Sequence, residues 1–384
     1  MDLTLLTTAL LVALGLLATD AVLNSGSVAV EVAGPSDVYK KIIDQRSLET
    51  VFTSQLDRIA ATVSVANAPE IRSSSSEGIG MVLADSANLR PLAFALQQQM
   101  GYNPDHLRFA LFMQDGALRG VVSGDGRAAG KFSQEFEPQK DEPLLNFVQR
   151  CATWGAAQLA PYTTALFMLQ HHAGDGDFRD VEAIAAHALA ALPPAPLSEE
   201  RAQFENLLGL VELFRNDPRA AQRHFQAAAD AWPDSAVPVL NLAFTQIQLD
   251  DNAAAAARMR ALLDRMHALL DNLSHAPKPL VATAHMTLAA ALMGQHDLDG
   301  AEAELRQALE INPGSASATE LWAELKQLRG DAAGARRLYH LAPRNSTAVE
   351  NFGELAALYF HLSWRDNEPV TRSRFSNPGV VNLH

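Results

Sequence analysis

The sequence predicts a multidomain α+β chain: an N-terminal hydrophobic helix, a small α/β domain, and a C-terminal all-α superhelix of stacked helical hairpins. Three observations predict it. Residues 3–19 carry no charge and are mostly Leu, Ala and Val. Short β-like runs, broken by turn residues, fill much of 27–138. From Ala202 onward, one spacing of small, aromatic and proline residues recurs, with copies 34 residues apart. A period of roughly 20–50 residues marks a stacked-repeat architecture.

Length and composition bound the reading. The 384 residues suggest two or three domains, and 48% hydrophobic content supplies a core. Acidic residues outnumber basic ones, 44 to 30, for a net charge of -14. Nucleic-acid binding needs clustered Lys and Arg, so no nucleic-acid partner is expected; the charge serves solubility. The single cysteine, Cys151, cannot form an intrachain disulfide. With no base beside it, it reads as a core thiol.

The first element is the segment 1–26. A membrane-spanning helix needs about 20 apolar residues, and a signal-peptide core about 7–15. The run sits between these lengths. No Lys or Arg precedes it, and Ala18-Thr19-Asp20 is a poor cleavage site. The reading is an uncleaved anchor, with membrane contact through residues 3–23; a cleaved signal and a buried helix are the alternatives. The nearest basic residues beyond it, Lys40 and Lys41, would place the bulk of the chain in the cytoplasm.

The second element is a small α/β domain over 27–138, of order βαβα followed by a β-meander. Val28 to Val32 reads as a strand closed by Gly34-Pro35. Ser47 can cap a helix carrying Leu48, Val51, Phe52, Leu56, Ile59 and Val63 on one face. Residues 73–76 are a serine run, 78–84 a second strand, and 88–100 a second helix with Pro91 in its first turn. Residues 107–114 and 117–123 flank Asp115-Gly116, a strong hairpin signal. Gly124-Asp125-Gly126 reads as another turn before a strand at 131–136. Gly78-Ile79-Gly80 lacks the third glycine of a dinucleotide loop and reads as a strand start. No catalytic residue, metal site or cofactor is assigned.

A linking helix is expected over 139–161, then helical repeats over 162–366 and a tail at 367–384. The best copy starts near Ala202: Leu208-Gly209, the turn Asn216-Asp217, then Ala221, Phe225, Ala228 and Pro233. Another, from Ala236, shows Leu242-Ala243, Asp250-Asp251, Ala255, Met259 and Leu262. A third, from about Ala282, shows Leu288-Ala289, Gln295-His296-Asp297, Ala301, Leu305, Ala308 and Pro313. The fourth, from Ala316, shows Trp322-Ala323, Gly330-Asp331, Ala335, Tyr339 and Ala342. A weaker copy begins near Tyr162 and keeps Gly176-Asp177-Phe178, Ala185, Ala188 and Pro193. Residues 258–273 extend the second helix of the middle copy, and a capping helix is expected at 349–362.

This pattern resembles the tetratricopeptide repeat. The resemblance implies antiparallel hairpins stacked into a superhelix. It also implies a concave groove lined by first-helix residues: Asn206, Leu210, Leu240, Phe244, Glu320 and Glu324. Some family members clamp a peptide carboxylate there with Lys, Arg and Asn. Leu, Phe and Glu at these places suit an apolar or helical segment instead. The layout, with 144–162 as the linking helix, is also similar to bacterial single-span membrane proteins that carry a small α/β domain before their repeats. That second resemblance implies a membrane location with the globular part in the periplasm, against the charge argument.

The function so implied is a membrane-tethered scaffold binding a protein or peptide partner. One alternative is an accessory subunit of an envelope assembly or secretion complex, docking through the α/β domain. Another is a ligand sensor or enzyme housed in that domain. His171-His172 with Asp175 and Asp177 could suggest a metal site, but adjacent histidines converge poorly on one ion.

Overall fold

The computed structural model describes residues 27–34, 43–62, 72–73, 105–126, 129–173, 176–193, 195, 197–272 and 278–341. They divide into a sheet unit and a helical unit, with the change between Thr164 and Ala165.

In the sheet unit, β1 (Ser27–Ala33) leads into α1 (Gln45–Ala60) and the short β2 (Arg72–Ser73). A meander follows: β3 (Asp105–Gln114), β4 (Ala117–Gly126) and β5 (Gly130–Phe136). The strand order is β2-β1-β3-β4-β5. β1 is parallel to β2 and β3, and the meander is antiparallel. Asp115 and Gly116 both have positive φ, 52° and 80°, as a two-residue hairpin turn of matching twist requires. Leu107, Phe109 and Leu111 are buried while His106 and Arg108 are exposed, so this strand has one dry face.

Two helices meet that dry face. α1 buries Leu48, Phe52, Leu56 and Ile59, and Phe52 stacks on Phe109 with ring centroids 4.8 Å apart. α2 (Leu144–Leu159) buries Phe147, Val148, Cys151 and Ala152. Gly155 rests on Leu107 and Val122, with no room for a Cβ. The helix expected as a link therefore packs on the sheet. Its Trp154 meets Phe132 and Phe136 edge-on, at 5.8 and 5.4 Å. Gln55 Nε2 donates to Thr153 Oγ1 at 3.0 Å and ties α1 to α2.

Local expectations change in two places. The cap of α1 is Asp44, which accepts from the Ser47 N–H at 2.9 Å, so the helix starts before Ser47. Gly124 and Gly126 are strand residues of β4, pairing with Phe132 and Gly130. Gly124 is small because a Cβ there would strike the His106 carbonyl and the Phe132 ring. The strand expected at 78–84 and the helix at 88–100 lie outside the described residues.

The N-terminal hydrophobic helix is corrected. Residues 1–26 lie outside the described residues, and among the described residues no helix is long and apolar enough to cross a membrane. A 21-residue helix, Asn252–Asn272, has the length but carries Arg258, Arg260, Asp264 and Arg265. A 17-residue apolar one, Lys278–Gly294, extends only about 25 Å. The membrane layout, the tether through residues 3–23 and the membrane location are withdrawn. What the structure shows is an α/β domain followed by a helical array.

The helical unit continues from α3 (Pro161–His172) and α4 (Arg179–Ala191). Four hairpins follow: α5 (Glu199–Phe214) with α6 (Pro218–Ala231), and α7 (Ala236–Gln248) with α8 (Asn252–Asn272). Then come α9 (Lys278–Gly294) with α10 (Leu298–Ile311), and α11 (Ala316–Leu328) with α12 (Ala332–Leu341). Each pairs tightly with its partner, and α6 packs on α7 as α10 packs on α11. Lengthening of α8 absorbs most of the break in the period. The capping helix at 349–362 and the tail at 367–384 lie outside the described residues.

Candidate functional site

The array is built from one repeated local solution. The second residue of each turn has positive φ: Asn216 at 60°, Asp250 at 61°, His296 at 62° and Gly330 at 82°. An aspartate follows each and caps the next helix. Asp217, Asp251, Asp297 and Asp331 accept from the N–H groups of Ala220, Ala254, Gly300 and Gly334 at 2.9, 3.3, 3.0 and 2.8 Å. The left-handed residue reverses the chain, and the aspartate restarts the helix.

Inside each hairpin small residues set the spacing. Gly209 faces Phe225, and a Cβ on it would lie 2.5 Å from the ring. Ala221, Phe225 and Ala228 are fully buried, as are Ala255 and Met259, and Ala301 and Leu305. Between hairpins, the residue ending a first helix reaches back to the preceding second helix. Arg215 pairs with Glu182 at 2.6 Å, Gln295 donates to the Asn252 carbonyl at 2.8 Å, and Arg329 pairs with Glu302 and with Asp299 at 2.5 Å. These links are partly exposed and worth well under about 1 kcal/mol each. Their recurrence fixes how neighbouring hairpins sit. The sequence reading missed them; the available signal was Arg or Gln recurring at the end of a first helix.

The six expected groove residues fall into two groups. Asn206, Leu210, Leu240 and Phe244 are buried, at 2% exposure or less. Asn241 Nδ2 donates to Asn206 Oδ1 at 2.7 Å, so this pair joins α5 to α7. α7 is buried from Val237 to Ile247 except at Val239. These four side chains shape the array from within and are not open to a ligand. Glu320 and Glu324, on α11, are half-buried, and Glu324 Oε2 is itself out of contact with solvent.

The polar candidates disperse. The His171 ring packs on Phe167, and Asp177 pairs with Arg179 at 2.6 Å, which holds its carboxyl down at about 2. Asp175 lies outside the described residues. His285 meets Glu304 at 2.6 Å and His224 meets Glu205 at 2.8 Å, each across its own hairpin. Among the described residues, no group of three His, Cys, Asp or Glu could hold a metal ion. Cys151 is buried in α2, and that burial pushes its thiol up to about 12. No thiolate nucleophile is available there.

No family model matches the chain. No curated protein matches it either. One solved structure, described as MamA MSR-1 C2, is similar at 13% identity and a TM-score of 0.32. The match covers 47% of this chain and 94% of that one. A likeness of this size assigns neither family nor function. The tetratricopeptide pattern stays a resemblance of spacing, and the single-span layout attached to it is overturned by the absence of a spanning helix among the described residues.

Among the described residues, exposed large apolar side chains include Leu145, Leu197, Tyr339 and Leu341. Leu341 lines a shallow surface cavity with half-buried Trp322.

Proposed function

We infer that the helical unit is a protein-binding module with no catalytic role. The observation that carries this is the stack of four hairpins among the described residues, each turned by a left-handed residue and capped by an aspartate. Such a stack offers an extended surface held rigid at little entropic cost.

In this reading residues 162–366 form the binding module, 27–138 with the helix of 139–161 form the α/β part, and 367–384 are a tail. Glu320 and Glu324 contact the partner, with Asn206, Leu210, Leu240 and Phe244 setting the curvature beneath. The partner is a protein or peptide segment with apolar and basic character. Affinity capture with the full chain, comparing wild type with Glu320→Lys, tests it. A discrete partner is expected with wild type and lost from the variant at unchanged helical circular dichroism. An identical set of captured proteins would count against this face.

A further inference from the structure

Among the described residues β5 ends the strand order, and Lys131, Ser133, Gln134 and Glu135 are all exposed, so this strand meets solvent on both faces. The two-residue turn at Asp115-Gly116 makes Gln114 and Ala117 a hydrogen-bonded pair, and such pairs alternate along an antiparallel ladder. Odd-numbered residues of β4 therefore bond β3, and even-numbered ones bond β5. With Val122 opposite Gln134 and Gly124 opposite Phe132, the N–H and C=O groups of Lys131, Ser133 and Glu135 point out of the sheet edge. The Glu135 carbonyl accepts instead from the Gln134 side-chain amide, at 3.0 Å.

This edge is complementary to itself. The run Lys131-Phe132-Ser133-Gln134-Glu135 laid antiparallel on its own copy sets Ser133 opposite Ser133 and Lys131 opposite Glu135 at both ends. Opposite charges in directly facing positions stabilise such a ladder, and like charges destabilise it. Lys131 is in no ion pair among the described residues. Glu135 is held by Arg119 of β4, and a carboxylate can accept from a second cation. The covering helix leaves room: α2 packs over β3 and β4. Joined edge to edge, the two β4 strands would lie three strand spacings apart, about 14 Å. Packed helices need only about 8–10 Å, so two copies of α2 fit side by side.

We propose that two copies of this chain pair β5 to β5 about a two-fold axis at Ser133, joining their sheets into one. Lys131 with Glu135, Ser133 with Ser133, and Glu135 with Lys131, one residue from each copy, exchange backbone hydrogen bonds across the axis. The interface is isologous, so each side-chain change acts twice. A dimer formed this way carries two helical arrays and holds a partner that has two binding segments more tightly than one array does. The pairing itself does not rest on the partner reading.

Sedimentation velocity of the full chain over a concentration series tests it without any partner. Wild type is expected to pass from monomer to dimer as concentration rises. K131E and E135K should each weaken the dimer about 10-fold or more, because both facing pairs become like charges. Mixed in equal amounts, K131E and E135K should pair with one another, because every facing pair is again opposite. S133P removes an outward N–H at an edge position that tolerates proline, and should abolish the dimer at unchanged circular dichroism. Hydrogen exchange gives a readout that needs no variant: the amides of Lys131, Ser133 and Glu135 should slow as concentration rises. Monomer at every concentration overturns the proposal. A dimer indifferent to S133P, or one that forms without slowing these amides, overturns it too, by placing the contact elsewhere.

Discussion

The sheet unit and the helical unit both bring elements close through small residues, but they draw on different ranges of sequence. In the sheet unit several contacts between elements are made once and over long distances. Gln55 bonds Thr153 98 residues away, Arg108 pairs with Glu31 77 residues away, and Gly155 lies on Leu107 and Val122. In the helical unit the contacts span about one repeat: Asn241 to Asn206 over 35 residues, Arg215 to Glu182 over 33. A periodic fold thus repeats a local solution, while the sheet unit depends on singular long-range ones. Loss of one contact should therefore act locally in the array and broadly in the sheet unit.

Core truncations give the largest expected effects. Phe225→Ala and Phe109→Ala each empty a fully buried site and should cost about 3–5 kcal/mol. Native-state hydrogen exchange distinguishes them. Phe225→Ala should loosen α5, α6 and α7 first, whereas Phe109→Ala should loosen β1, β3, β4 and both covering helices together. Equal loosening of α5 and α11 by Phe225→Ala would break the comparison. Gly209→Ala comes next, at about 1–3 kcal/mol in urea unfolding, because the buried Phe225 ring cannot withdraw.

The turn variants sharpen the comparison at smaller scale. Asp297→Ala removes a cap and should cost about 1 kcal/mol. His296→Gly relieves a left-handed non-glycine residue and should stabilise by about 0.5 kcal/mol, an increase measurable in the same unfolding curves. Gain from one and loss from the other, one residue apart, would show that the turn has two separate parts.

Acid should act on the sheet unit through Glu142. Arg150 donates to both of its carboxylate oxygens, at 2.9 and 2.8 Å, and this pairing lowers its pKa. A folded-state value below the unfolded one contributes stability that is present above the ordinary glutamate range. That contribution is lost as pH falls through it toward the folded value. Glu142→Gln should flatten this part of the acid unfolding curve; an unchanged curve would remove the pair from the account.

The repeats were legible in the sequence because the same residues return: Ala221, Ala255, Ala301 and Ala335, and the aspartate after each turn. The hairpin at Asp115-Gly116 was legible for a similar reason, since its φ requirement selects those residues locally. Gly124 was misread because a turn glycine and a space-making glycine look alike in one sequence. Its reason, the Phe132 ring, is set by strand register. Asn206 and Leu210 lie on α5, and Leu240 and Phe244 on α7. Period alone does not say how closely neighbouring helices wrap them, and α7 is enclosed nearly all round. The uncharged run at residues 3–19 lies outside the described residues, and among the described residues no helix is long and apolar enough to cross a membrane.

The central claim is that the array, and not the sheet unit, meets a protein partner. Site-specific photo-crosslinking in cells tests it most directly, with the probe placed at half-buried Glu320 on α11 or at exposed Ser133 on β5. A discrete adduct with another protein is predicted from position 320, and from 133 none but a second copy of the chain. An adduct with another protein from 133 and none from 320 would contradict the claim and move recognition to the sheet.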